Sequence, residues 1–168
     1  QTFGLISDAE LIVSTASGYQ FNPKIHIIAD YQQFDEFIRL ASAASSIINR
    51  VELLKSAIDL YNGKILSSAE GEHWLIQFAT KYHIAYISAV NELLKQLASL
   101  HSYDLLNQYA MRSLTIAPEN TKGYYWLIRS LKAQGMDELA SNEYRLAKQK
   151  LTDNEYLDLL DLLANNQE

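Results

Sequence analysis

Four histidines, His26, His73, His83 and His101, are the first residues to test for chemistry. None has the H-E-x-x-H spacing that sets two imidazoles on one helix face around a metal. Glu70-Gly71-Glu72-His73 is the single carboxylate–imidazole cluster, and it falls at a predicted helix start. Acids are favoured there by the helix dipole, so a capping turn accounts for the cluster better than a metal site. No serine stands in a G-x-S-x-G elbow, and no glycine-rich loop follows a strand to cradle phosphate. The acids scatter over helix faces, which leaves no paired carboxylates for acid/base work. Eleven tyrosines and two tryptophans mostly fall at helical spacing within apolar stripes. Packed rings with hydroxyls reaching the surface describe them better than an aromatic cage. The chemistry excludes little by itself, but it points to no enzyme, no metal and no cofactor.

One set of side chains does form a pattern. Lys122, Tyr125, Arg129 and Lys132 recur at i, i+3, i+7 and i+10 and so share one helix face. That face is offset from the apolar stripe of Tyr124, Leu127, Ile128 and Leu131. Ser88, Asn91, Lys95 and Ala98 stand in the same phase one repeat earlier. The candidate binding residues are therefore Asn91, Lys95, Lys122, Tyr125, Arg129 and Lys132. A basic face of this kind fits an acidic peptide, a protein carboxylate or a phosphorylated ligand, held by charge-assisted hydrogen bonds. An ordinary solvated charged face is the competing reading.

The elements that would position these residues are helical hairpins. Between Asn120 and Lys150, a helix carrying Tyr124, Leu127, Ile128 and Leu131 is followed by Gly135, then by a helix carrying Ala140, Tyr144 and Ala147. This is close to the tetratricopeptide (TPR) pattern of about 34 residues. One period earlier stand Val90, Leu93, Leu94 and Leu97, with Leu106 and Ala110 on the partner helix and Pro118 closing the unit. Such a unit buries its apolar face only against neighbours and leaves a concave surface for a partner. The basic face above should line that groove.

Further elements follow from period and punctuation. Glu10 to Thr15, a turn at Ala16-Ser17-Gly18, and Tyr19 to Asn22 predict a β-hairpin, with a third extended piece over Ile25 to Ala29. Asp30 is the expected N-cap of a helix bearing Phe34, Phe37, Ile38 and Ala41. Ile47, Val51, Leu54, Ile58 and Tyr61 mark a second helix, stopped at Gly63. A long helix is expected from Glu72 to Leu100, another from Tyr103 to Ile116, and a last one from Asp153 to Leu163 behind a Thr152-x-x-Glu155 capping box. Its outward Asp158 and Asp161 suit a terminal cap.

With 168 residues, 48% hydrophobic and 20% charged, the chain has the bulk of one ordinary globular domain. A net charge of −6 disfavours nucleic-acid binding by this chain itself. The charge is uneven: seven of the 14 Lys and Arg fall between Arg112 and Lys150, and only acids follow Leu151. There is no cysteine, which suits the cytoplasm, and no apolar run approaches the roughly 20 residues of a membrane span. The start at Gln1 reads as a partial or trimmed chain.

The order of motifs resembles the bacterial transcriptional activator domain of antibiotic-regulatory-type (SARP-like) regulators. Ser17-Gly18-Tyr19-Gln20-Phe21 is similar to the end of that family's winged-helix wing. Ile28-Ala29-Asp30 with Phe34 resembles its entry into the first helix, and Ala57 to Gly63 its A..LY.G turn. Trp74 stands where the family has a tryptophan, and Leu114 to Pro118, Gly135, Ala140 and Tyr144 match its last repeat. The resemblance implies a mostly α fold: a TPR-like helical-hairpin solenoid or bundle with a short N-terminal β-hairpin. Residues 1–29 would be the remnant wing, and residues 30–168 the activator domain. It further implies a regulatory domain that self-associates or contacts RNA polymerase or an effector, reaching DNA only through winged-helix sequence upstream. A stand-alone TPR-like peptide-binding adaptor is the alternative. No membrane partner is expected.

Overall fold

The structure is a computed structural model that describes residues 12–16, 18–23, 28–63 and 73–165. Within these the chain is mostly α. β1 (Ile12–Thr15) and β2 (Gly18–Phe21) pair antiparallel, with Ile12 opposite Phe21 and Thr15 opposite Gly18. Seven helices follow: α1 (Asp30–Ala43), α2 (Ile47–Leu60), α3 (His73–Ser99), α4 (Tyr103–Ile116), α5 (Thr121–Ala133), α6 (Asp137–Lys150) and α7 (Asp153–Asn165). The expected extended piece over Ile25 to Ala29 lies largely outside the described residues, as do His26, Glu70, Gly71 and Glu72. So do the side chains of His73 and Trp74.

Successive helices pack as hairpins, α1 on α2, α4 on α5 and α5 on α6, with α3 bridging the two halves. The stripes expected from sequence close one continuous core. Val90, Leu93, Leu94 and Leu97 of α3 interlock with Leu106 and Ala110 of α4 and with Tyr124, Leu127 and Ile128 of α5. Ala140 and Ala147 let α6 lie close to α5, and Leu159 and Leu163 of α7 seal the far end. Hydrophobic burial of this kind is the main stabilising term for such repeats.

Helix ends show how local chemistry sets the hairpin turns. Gly135, at φ 72°, closes α5 as a Schellman turn, with Met136 N–H on Leu131 O at 2.9 Å and Gly135 N–H on Lys132 O at 3.0 Å. His101, at φ 53°, fills the same position after α3: Ser102 N–H meets Leu97 O at 2.9 Å and His101 N–H meets Ala98 O at 3.0 Å. The expected N-cap at Asp30 is corrected. Ala29 occupies the cap, Asp30 is the first helical residue, and the Gln32 carboxamide accepts the Ala29 N–H at 3.0 Å. The Thr152–Glu155 capping box forms as expected, with Thr152 N–H donating to Glu155 Oε2 at 2.9 Å.

Polar ties pin the helices laterally. Tyr82 of α3 donates its hydroxyl to Asp35 of α1 at 2.7 Å, and Arg112 of α4 pairs with Asp59 of α2. His83 bridges the Tyr61 hydroxyl (3.1 Å) and Glu119 (2.6 Å), joining α2, α3 and the α4–α5 turn.

Candidate protein-binding groove

The first helices of successive hairpins, α3 and α5, lie side by side with α7 beyond them, and a groove of about 410 Å³ opens between them. Four of the six residues singled out in the sequence, Asn91, Lys95, Lys122 and Tyr125, line it. The one-repeat shift between Asn91 and Tyr125 explains this: equal phase on neighbouring parallel helices faces the same hollow.

The lining residues play unequal parts. Lys95 and Lys122 are exposed, and neither ammonium makes an ion pair among the described residues. Asn91 is half-buried, and its carboxamide oxygen accepts the side-chain N–H of Asn120, the buried residue at the N-cap of α5, at 3.0 Å. That bond fixes the α4–α5 turn against α3. Tyr125 is buried and meets Trp126 edge to face at 4.9 Å.

Arg129 and Lys132 do not join the lining. Arg129 folds back along α5, donating to the Tyr125 hydroxyl at 2.6 Å with its guanidinium 5.5 Å from that ring and 6.0 Å from Trp126. Lys132 turns to α6, where its ammonium lies 5.3 Å from the Tyr144 ring. Both cations are held by aromatic faces.

Glu92, Trp126 and Leu162 also line the groove and were not expected from sequence. Glu92 makes the hollow less uniformly basic than the lysine phase implies. Its neighbour Asn91 was legible, and the missed signal is width: a groove between two helices admits residues at both i and i+1. Leu162 comes from the capping helix, whose repeat offset differs from that between α3 and α5.

Among the described residues no cluster of His, Cys, Asp or Glu could hold a metal, and no helix is long and apolar enough to cross a membrane. The largest proton-affinity shifts belong to packed rings. Burial raises Tyr61, Tyr109 and Tyr124, with nearby carboxylates adding to it, and pushes Tyr86 up to about 12. These are consequences of packing.

Antiparallel helix pairs, a Schellman-closed turn recurring one repeat apart, a groove across the first helices and an acidic terminal cap define a TPR-like helical-repeat domain. That class buries apolar faces between repeats and offers its groove to other proteins. Residues 29–158 match the family model for the bacterial transcriptional activator domain, and the chain belongs to that family. Comparison with curated proteins and with solved structures gives no match.

Proposed function

We propose that the chain is the regulatory and protein-interaction domain of a bacterial SARP-like transcriptional regulator, acting in the cytoplasm and carrying no catalytic chemistry. Residues 1–29 are the wing of a winged-helix domain whose remainder contacts DNA, and residues 30–168 form the activator domain. Its partner is protein: a second copy, RNA polymerase, or an effector with an acidic segment.

Membership of the activator-domain family supports the regulatory role. The observation that carries the binding reading is the pair Lys95 and Lys122, two ammoniums on either side of one groove that make no ion pair among the described residues. Ion pairs at exposed lysines contribute about 0.2–1 kcal/mol each, and charge reversal replaces that attraction with repulsion of similar size. Reversing both charges should therefore cost about tenfold or more in partner affinity.

The test uses the full-length regulator and a reporter promoter. Lys95→Glu with Lys122→Glu should lower activation by about that factor while DNA affinity stays unchanged, because the reading assigns DNA contacts to the winged-helix part and not to this groove. Unchanged activation would sink the groove as the working surface.

A further inference from the structure

A second hollow, of about 460 Å³, lies on the other side of α3, between α3 and the α1–α2 hairpin. Its floor is Ala41, Leu54 and Ala89, all buried, and Ile38 and Ala85 wall it. The one cation among its described lining residues, Arg50, is committed elsewhere: its guanidinium donates to Ala41 O at 3.2 Å and Ala44 O at 2.8 Å, closing the C-terminal end of α1. Apart from Ser42, Ser88 and Glu92, the rest of the described lining is apolar.

The two hollows meet over α3, sharing Ser88 and Glu92. The ridge between them is low, because Ala85, Ser88 and Ala89 are small. A bulky side chain at any of these positions would wall one hollow from the other. Glu92 is the only charge on the ridge, half-buried, with one carboxylate oxygen accepting from Gln96 at 2.7 Å.

We propose that an extended segment of a partner protein crosses α3 at this ridge, seating an aliphatic side chain between α1 and α3 and a carboxylate on Lys95 and Lys122. Glu92 repels an acid between the two. The inference rests on the groove reading above and adds a ligand pattern to it. Crossing one helix width is about 10 Å, which is about three residues of extended chain. The partner segment therefore carries an aliphatic residue, then neutral or basic positions, then Asp or Glu about three residues on. Attraction at the lysines and repulsion at Glu92 together set specificity.

The experiment is selection of a random dodecapeptide phage library on the immobilised chain. It runs in parallel on Lys95→Glu with Lys122→Glu, on Ser42→Trp, which fills the apolar hollow from the exposed rim of α1, and on Glu92→Gln. Ser42, Lys95 and Lys122 are exposed, so these variants keep the fold, as circular dichroism will verify. The wild type should enrich the aliphatic-then-acid pattern, and a synthetic consensus peptide should bind about tenfold more weakly to either of the first two variants. Glu92→Gln should admit acids at the intervening positions. If the lysine variant selects other peptides but Ser42→Trp selects the same ones, the two-site pattern is overturned and the groove reading stands. If the lysine variant selects the same peptides as the wild type, or none is enriched, both are overturned. Self-association in sedimentation that the lysine variant abolishes makes the occupant a second copy and overturns the partner-segment proposal.

Discussion

Tyr86 is fully buried and stacks on Tyr61 at 4.4 Å, yet its hydroxyl has no hydrogen-bond partner among the described residues. A buried, unpaired hydroxyl costs its desolvation with nothing to offset it. The ring supplies the packing, so Tyr86→Phe should leave stability unchanged or raise it by up to about 1 kcal/mol. Urea unfolding followed by circular dichroism reads this, and a loss of more than about 1 kcal/mol would show that the hydroxyl is bonded. Tyr82 is the contrasting case, since its hydroxyl donates to Asp35 and ties α3 to α1. The same residue type thus serves as filler in one turn of α3 and as a strut in the preceding one. Lysines differ in the same way: Lys95 and Lys122 make no ion pair among the described residues, whereas Lys132 is drawn onto Tyr144.

At the scale of elements, the acidic cap α7 has a pH-dependent start. Glu155 is held below the usual carboxylate range by the Thr152 backbone N–H and then by the Thr152 hydroxyl. A carboxylate whose folded proton affinity is depressed stabilises the fold above its unfolded value of about 4.3, and that stabilisation is lost as pH falls through the folded value. Glu155→Gln keeps both hydrogen bonds but cannot titrate. Thermal unfolding from neutral to acid pH should therefore fall less steeply for Glu155→Gln than for the wild type; parallel curves would mean the box contributes no linkage. Elements with strong punctuation were readable in the sequence. The end of α4 at Ile116 follows from Pro118, and α7 from its capping box. The start of α1 was misread because Ala29 cannot cap with its side chain, and the compensating bond comes from Gln32 within the first turn. Half of the groove was legible because the repeat carries helix phase from Asn91 to Tyr125. Arg129 and Lys132 were not, because aromatic neighbours on the same or the next helix decide where a long cation lies. The apolar hollow was also hidden: it is built from Ile38, Leu54 and Ala85 on three different helices, and no single period connects them.

For the whole molecule, the question is how far the hairpin and the helices are one thermodynamic unit. Their exposure argues that they are two. Ile12 is 52% exposed, Tyr19 84% and Phe21 62%, and the register places all three on one face of the β1–β2 ribbon. Apolar side chains left this open contribute little burial to the helical body. Among the described residues no helix packs on the ribbon to any extent. The helices form a single core from Phe34 to Leu163, running through the long α3, so they should unfold in one cooperative step. Removing residues 1–28 should accordingly change the stability of the helical body by less than about 0.5 kcal/mol, or about 1–2 °C for a chain of this size. Helical circular dichroism of the shortened and complete chains measures it. A fall of several degrees would mean that the ribbon is docked on the helices and that its exposed face is not waiting for the rest of a winged helix. A matching melt would leave Ile12, Tyr19 and Phe21 free to pack against the proposed DNA-binding half of the regulator, with α1 entering directly behind the ribbon.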